Sequence, residues 1–439
     1  MSDDVTVARA PSGTHDVLAP ESARWELLVA RFARQVERAG YGLAHTPIFE
    51  DARVFRRGMG EGSDVVGKEM YEFEDRGGRL LALRPEGTAP VVRAFVQHRP
   101  PTPWKAWYVT PAFRYERPQA GRYRQHHQLG VEVLGSADPD LDVEVIGLAA
   151  RLLASVGLGD VVLHLHSMGD DACRPVYVED LRRYLADRRS SLCGEHAERF
   201  EANPLRTLDC KKEACRAATV DAPHLLDALC EPCAAHFARV RTGLAAVGVA
   251  AVLDHRLVRG FDYYTRTTFE FVSGALDGAQ NGIGGGGRYD GLVEMLGGPP
   301  TPGIGFGVGI ERLLLACDAE AVFPTVAHPL DAYVVDVTGG EAARDLTEEL
   351  RRAGLAADRA FDGRSMRSQL KSADRSGASV AVIVGADELE HGQVTLRPLR
   401  SGGDQRTVAR AEAAAAVRAL LVGGEADRRP TTHRPKDEA

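Results

Sequence analysis

Apolar and polar positions along the chain change their period several times, and each change marks a predicted element. Over residues 20–39 the apolar Trp25, Leu28, Val29, Phe32 and Val36 recur at helical spacing, which predicts a helix with proline in its first turn and one buried stripe. A strand through Thr46, Pro47, Ile48 and Phe49 follows, its proline suited to a sheet edge or a bulge. Residues 81–95, LALRPEGTAPVVRAF, read as strand, tight turn and helix, with Gly87 and Thr88 where an N-cap belongs. Glu86 at that turn either caps the helix or accepts from a cationic ligand amine.

Residues 107–135, WYVTPAFRYERPQAGRYRQHHQLGVEVLG, predict two strands joined by a long polar loop. In the first, Phe113 and Tyr115 fall on one face and Arg114 and Glu116 on the other; in the second, Leu129, Val131 and Val133 alternate with Gln128, Gly130 and Glu132. One face is therefore apolar and the other carries a guanidinium, two carboxylates and an amide. Charge is ordinary on a solvated sheet face. Arg117, Arg122 and Arg124 in the loop, with Pro118 and Gly121 as turn residues, also suit a polyanion such as a nucleotide.

Between residues 168 and 250 the pattern turns helical and charged. Cys210 and Cys215, then Cys230 and Cys233, give a C-x4-C and a C-x2-C, spacings that admit a zinc knot and equally the thiols of a helical core. His164 and His166 share a strand face just before this segment, an incomplete ligand set that reads as structural. Strands return from Leu257, where Phe269 and Phe271 alternate with Thr268 and Glu270.

QNGIGGGGRYDGL comes next, with four consecutive glycines from Gly284 to Gly287. Such a run loses strand stability to backbone entropy and makes sense where backbone passes close to something else. It does not have the G-x-G-x-x-G form that opens a helix, and no G-x-x-x-x-G-K-[ST] occurs, so Rossmann and P-loop readings are poor. Residues 303–317, GIGFGVGIERLLLAC, form a glycine-spaced strand running into a helix with Glu311 and Arg312 near its first turn. An arginine there opposes the helix dipole unless an anion joins it, which makes Arg312 a phosphate candidate.

A new module starts near residue 329. DAYVVDV and VAVIVG read as strands, and two helices carry Ala342, Leu346 and Leu350, then Met366, Leu370 and Ala373, on their inner sides. The β-α-β order predicts a separate α/β domain with a parallel or mixed sheet. Arg367, Lys371 and Arg375 lie away from the stripe, a solvated face or an RNA contact. Residues 423–439 are polar and proline-bearing and read as a disordered tail.

Composition narrows the class. With 439 residues, 44% hydrophobic and 26% charged, the chain is an ordinary globular protein of two or three domains. Its net charge of −8 means that a nucleic acid would be held by local basic patches. No stretch has the ~18 apolar residues of a membrane span. The polar N-terminus is not a signal peptide and seven cysteines do not suggest secretion, so a cytoplasmic setting is expected.

Several of these stretches resemble one family. FRYERPQAGRYRQHHQ is similar to motif 2 of class II aminoacyl-tRNA synthetases, GFGVGIERLL to motif 3, and the first helix with TPIFE to motif 1. LVRGFDYYTRT and GGGGRYDGL resemble the two signatures of histidyl-tRNA synthetases. The resemblance implies an α+β fold, a class II antiparallel sheet flanked by helices with a helical insertion and a C-terminal α/β anticodon-binding domain. The corresponding boundaries are 1–168 and 251–325 for the catalytic domain, 169–250 for the insertion and 329–422 for the anticodon-binding domain. It also implies a homodimer and a histidine–tRNA ligase that forms histidyl-adenylate from L-histidine and ATP, then charges tRNA(His). Mg2+ would accompany the nucleotide, and no membrane is involved.

Residue by residue, the resemblance implies α-phosphate contacts for Arg114 and Arg259, the γ-phosphate for Arg312 with Glu311 beside it, and the adenine amino group for Glu116. Glu86, Gly87, Thr88 and Gln128 would hold the amino and carboxylate ends of histidine, and Glu132 and Tyr264, with Tyr263 adjacent, its imidazole. Arg117 and Gln119 would meet the tRNA acceptor end. His126 stands where the family usually has phenylalanine against adenine. The rival readings are a non-catalytic histidine-sensing paralogue, a synthetase for another amino acid and a general RNA-binding protein. The first is expected to lack the C-terminal domain, the second lacks LVRGFDYYTRT, and the third has no need of a four-glycine floor.

Overall fold

An eight-stranded, mostly antiparallel sheet organises the first part of the chain. The computed structural model describes residues 7–60, 65–257, 263–276, 281–324, 330–400 and 403–425, in two compact units, Met1–Pro324 and Thr325–Ala439. Across the sheet the strands run Gly42–Leu43, Trp104–Phe113, Gln125–Leu134, Gly303–Gly309, Gly282–Arg288, Thr265–Ser273, Val161–Ser167 and Val252–Leu253. Only the two outermost pairs are parallel.

One face of the sheet is closed by helices and the other is left to the site. Leu129, Val131 and Val133 pack with Ile304, Phe306 and Val308 against the helix Glu21–Glu37, whose Leu28, Phe32 and Val36 are fully buried, and against the helix Pro139–Ser155. Side chains alternate along a strand, so Gln128, Gly130 and Glu132 face the opposite way. The antiparallel register sets them beside Gly309, Gly307 and Gly305, and Gly307 and Gly305 beside Gly285 and Gly287. The glycine positions thus coincide on the polar face, where they form a floor with almost no side chains.

Two local expectations change. The strand Trp104–Phe113 ends before Arg114, so Tyr115 leaves the ladder; it is exposed, with the Arg124 guanidinium 4.0 Å from its ring centroid. The loop after it, residues 114–124, is long as expected and is pinned by a bridge between Gln119 and Arg122. The strand expected through Thr46 covers only Phe49–Asp51 of a small three-stranded sheet, with Pro47 ahead of it.

Between the strand Val161–Ser167 and residue 250 the chain is helical. Apart from the helices Arg174–Ala186 and Glu231–Ala246, its helical pieces are short, and it has a small core of its own around Tyr177, Leu181, Leu185, Phe200 and Leu225. His164 pairs with Asp254 at 3.0 Å and His166 is buried, and neither joins a metal-ligating group among the described residues.

In the second unit a five-stranded mixed sheet carries Ala332–Asp336 at its parallel side, between Ala357–Arg359 and Val380–Val384. The helix Met366–Arg375 buries Gln369 and Ala373, whereas Met366 is exposed. Gln369 enters the interior because its amide bonds both backbone polar groups of Asp336, a polar pairing that an apolar period does not reveal. The last helix runs Ala413–Glu425, past the expected tail boundary at 423; residues 426–439 of that tail lie outside the described residues. No helix among the described residues is long and apolar enough to cross a membrane.

Candidate active site

A cavity of about 300 Å³ opens over the glycine floor, at the small end of the range for ligand pockets. One end is backed by Glu132, which is fully buried behind the lining residues Thr88, Tyr108, Tyr289 and Gly305. Thr88 donates to its Oε1 at 2.7 Å, Tyr108 at 3.2 Å, and the Tyr289 hydroxyl donates to Oε2. Burial pushes its carboxyl up to about 8, and the three hydroxyls moderate that rise. The floor beneath it admits nothing larger than glycine: a Cβ on Gly305 would stand 1.8 Å from Glu132 Oε2 and 2.5 Å from the Val131 carbonyl oxygen.

Beside this end, Glu86 caps the helix Thr88–His98 by accepting from the Ala89 amide at 3.2 Å and also accepts from the Tyr263 hydroxyl at 2.9 Å. The two alternatives for this residue are compatible, since one oxygen serves the helix and the other faces tyrosine. Burial raises its carboxyl, with Tyr263 and the Arg114 charge acting against the rise. Gln128 accepts from the Gly87 amide at 3.2 Å, which fixes its amide over the floor. Tyr264 is buried with its ring stacked at an angle on Tyr263, 4.8 Å between centroids.

The open end is cationic. Arg114 donates to the Pro85 carbonyl at 2.9 Å, and Arg312 donates to the carbonyls of Gly121 at 3.1 Å and Gly282 at 3.0 Å. Burial lowers the proton affinity of both guanidiniums, and for Arg312 the nearby charges of Arg122 and Arg114 add to it. Two arginines held close by backbone carbonyls form a concentration of positive charge that an anionic ligand would relieve. His126 lines the same cavity within reach of both charges. Burial, with the two arginine charges, takes its imidazole down to about 3 and keeps it neutral.

Glu116 is held by Arg122 at the rim. Glu311 lines the cavity with its carboxylate engaged by His127, whose backbone amide donates to both oxygens at 3.0 Å. Arg117 and Gln119 are exposed on the loop. Arg259 lies outside the described residues.

Tyr108, Tyr289 and Glu270 also line the cavity and were not singled out from the sequence. Tyr108 pairs across the strands with Gly130, and a Cβ on that glycine would meet its ring at 2.2 Å. A tyrosine opposite a glycine in the hairpin was the available signal.

The four cysteines at 210, 215, 230 and 233 do not converge on one point. Cys210 and Cys215 gather with Cys193 and His196, while Cys230 and Cys233 gather with Asp170 and Cys173. Each spaced pair stays together, but long-range folding supplies each with a different pair of partners.

Comparison with known proteins agrees with this geometry. The family profile described as histidyl-tRNA synthetase matches residues 13–169 and 187–313, and an anticodon binding domain matches residues 324–420. The chain is 50% identical over 401 residues to a histidine–tRNA ligase of Moorella thermoacetica, covering 90% of this chain and 94% of that one. It is 48% identical over 402 residues to the histidine–tRNA ligase of Desulforamulus reducens, covering 90% and 95%. The fold is similar to a crystal structure of apo histidyl-tRNA synthetase from S. aureus, with a TM-score of 0.79 and 33% identity over 94% of this chain and all of that one.

Proposed function

The chain belongs to the histidyl-tRNA synthetase family, and from that premise we propose how its cavity divides between histidine and ATP. Its activity is that of an ATP-dependent histidine–tRNA ligase of class II, and a non-catalytic paralogue is not favoured. In the reaction, an oxygen of the histidine carboxylate bonds to the α-phosphorus of ATP and pyrophosphate leaves. The terminal ribose hydroxyl of tRNA(His) then attacks the carbonyl carbon and AMP leaves.

The buried Glu132 carries the assignment. A carboxyl buried behind this end of the cavity among three hydroxyls supports a small polar side chain there. We place the imidazole there, between Glu132 and Tyr264. A ligand without ring nitrogens would forgo the polar contacts this end offers, which is a basis for rejection. Glu86 takes the α-amino group, and Gln128, Thr88 and the Gly87 backbone orient the other end.

Arg114 and Arg312 take the α- and γ-phosphates. Their charge survives burial and each can grip two oxygens, so they hold ATP bent over the floor and stabilise charge that develops at the α-phosphate. Arg259 has the same role at the α-phosphate on the strength of the LVRGFDYY match. Neutral His126 stacks on adenine, and Glu116 accepts from its amino group.

Glu270 and Glu311 sit within electrostatic reach of Arg312 and offer the hard oxygen ligands that suit Mg2+. When bound, that ion would neutralise phosphate charge. Because Glu311 is already engaged by His127, we assign it first to holding the strand end that carries His126. Arg117 and Gln119, exposed on the loop, we assign to the tRNA acceptor end.

We assign residues 1–168 and 251–325 to catalysis, 169–250 to the insertion and 329–422 to anticodon binding. A homodimer is supported by the exposed apolar residues Leu43, Ile48, Phe49, Phe73 and Leu80 on the edge strand and around the small sheet. Seven free thiols suit a reducing compartment, and we place the enzyme in the cytoplasm.

ATP–pyrophosphate exchange with each amino acid in turn tests the division of the cavity. Histidine alone should support exchange, and Arg114→Ala should abolish it while histidine still binds by calorimetry. Loss of histidine binding in that variant, with ATP binding intact, would overturn the assignment.

A further inference from the structure

Six of the seven cysteines fall in the insertion, and all six belong to two tetrads of ligand-type side chains. The first is Cys193, His196, Cys210 and Cys215; the second is Asp170, Cys173, Cys230 and Cys233. We infer that the insertion holds two structural zinc ions, one in each tetrad.

The distances fit. In each tetrad the four donor atoms lie within 4.8 Å of one another. A tetrahedron with metal–sulfur bonds of ~2.3 Å has edges of roughly 3.8 Å, so small rotations of the side chains close both sites. Cys193 Sγ is already 3.1 Å from His196 Nδ1, and Cys173 Sγ is 3.5 Å from Asp170 Oδ1. Backbone amides point at the sulfurs, from Cys193 to Cys215 Sγ at 3.3 Å and from Asp170 to Cys173 Sγ at 3.4 Å.

The local fold supplies a second, independent reason. The segment inside the first tetrad is built from the helices Gly194–Arg199, Leu205–Leu208 and Glu213–Ala218. Helices of one or two turns are not stable by themselves, and the few apolar residues around them form only a small core. Such a segment needs a cross-link, and zinc provides one without an oxidising environment.

The second tetrad sits where the insertion leaves and rejoins the catalytic domain. Asp170 and Cys173 follow the sheet strand Val161–Ser167, and Cys230 and Cys233 head the helix Glu231–Ala246 that packs back on the sheet domain. Arg174, directly after Cys173, donates to the backbone carbonyls of Met168 at 2.8 Å and Tyr264 at 2.5 Å. An ion here closes the loop of the insertion at its base and braces the wall that carries Tyr264.

The test is metal analysis of the full-length protein, purified without immobilised metal or chelator. Two zinc equivalents per chain are expected. Cys210→Ser with Cys215→Ser should leave one, Cys230→Ser with Cys233→Ser should leave the other, and Cys317→Ser should leave both. On the unmutated protein, titration with a mercurial should release two equivalents to a colorimetric chelator, and cobalt(II) exchange should give the visible bands of tetrahedral thiolate sites. These two measurements hold even if the double variants fail to fold. Less than about a third of an equivalent with all seven thiols titrating would overturn the inference, since structural zinc binds tightly. So would a single equivalent, or a disulfide within either tetrad in protein kept under reducing conditions.

Discussion

Replacing Glu132 by glutamine should move stability and substrate recognition in opposite directions. In the folded chain burial raises this carboxyl from 4.5 to about 8. Between those pH values the unfolded chain has released the proton while the folded chain still holds it, so the residue lowers stability as pH rises across the window and by a constant amount above it. At about 1.4 kcal/mol per pH unit the full effect is roughly 5 kcal/mol. Glutamine has the same shape and no charge to desolvate. It must still match Thr88, Tyr108 and Tyr289, whose hydroxyls can rotate to accept from the amide, a mismatch that costs on the order of 1–2 kcal/mol. Glu132→Gln should therefore be more stable than the wild type by roughly 2–4 kcal/mol at pH 8, and the difference should vanish near pH 5.

The same change replaces the carboxyl proposed to meet the imidazole by an amide, with one acceptor oxygen instead of two. Because the folded carboxyl keeps its proton near pH 7, the contact joins neutral groups and contributes about 0.5–1.5 kcal/mol, so kcat/KM for histidine should fall roughly 2- to 13-fold. The KM for ATP should hold, since Glu132 lies at the opposite end from Arg312. Urea unfolding at pH 5, 6, 7 and 8 reads the first effect, and pyrophosphate exchange with each substrate varied reads the second. Equal losses for ATP and histidine, or a stability difference that does not grow with pH, would refute the reasoning.

Other outcomes follow from the same geometry. Gly305→Ala sets a methyl group against Glu132 and the Val131 backbone and should abolish histidine-dependent exchange at the cost of about 1–3 kcal/mol in stability, checked by circular dichroism beside the exchange assay. Asp142 accepts from the fully buried Arg288 and lies 3.1 Å from His236, and these two partners hold its carboxyl below the usual range although burial opposes them. Asp142→Ala leaves the guanidinium with Asp290 at 3.3 Å and the carbonyls of Ser136 and Asp138 but without its closest carboxylate, and should lower unfolding free energy by about 1–3 kcal/mol in urea titration. His126→Ala should raise the KM for ATP about 5- to 100-fold through lost stacking, whereas His126→Phe should keep it within about threefold. Because its imidazole sits near 3 when folded, His126 also lowers stability as pH falls below about 6.5. The phenylalanine variant should be less acid-sensitive in thermal melts between pH 6.5 and 4.

Much of the site could be read from local patterns. The alternation of Gln128, Gly130 and Glu132 against Leu129, Val131 and Val133 separates the two faces of a strand, because successive side chains must point in opposite directions. The stripe of Leu28, Phe32 and Val36 determines a buried helix face in the same way. Four glycines in a row have no reason to stay together in a strand unless something lies close above them, and Arg312 at a helix start asks for an anion. These are constraints of covalent geometry and helix electrostatics that hold wherever the segment ends up in the fold.

Convergence was a matter for the tertiary structure alone. Tyr289 reaches Glu132 from 157 residues away and Tyr108 from 24, and no single window contains all three. The cysteines were divided between two tetrads because Cys193 and His196 fold back on one pair while Asp170 and Cys173 meet the other. Gln369 replaced an expected apolar contact because Asp336, on a neighbouring strand, needed its amide. Local period determines which way a side chain points. Which distant residue stands opposite depends on strand register and helix packing, and those are settled only when the whole chain closes on its core.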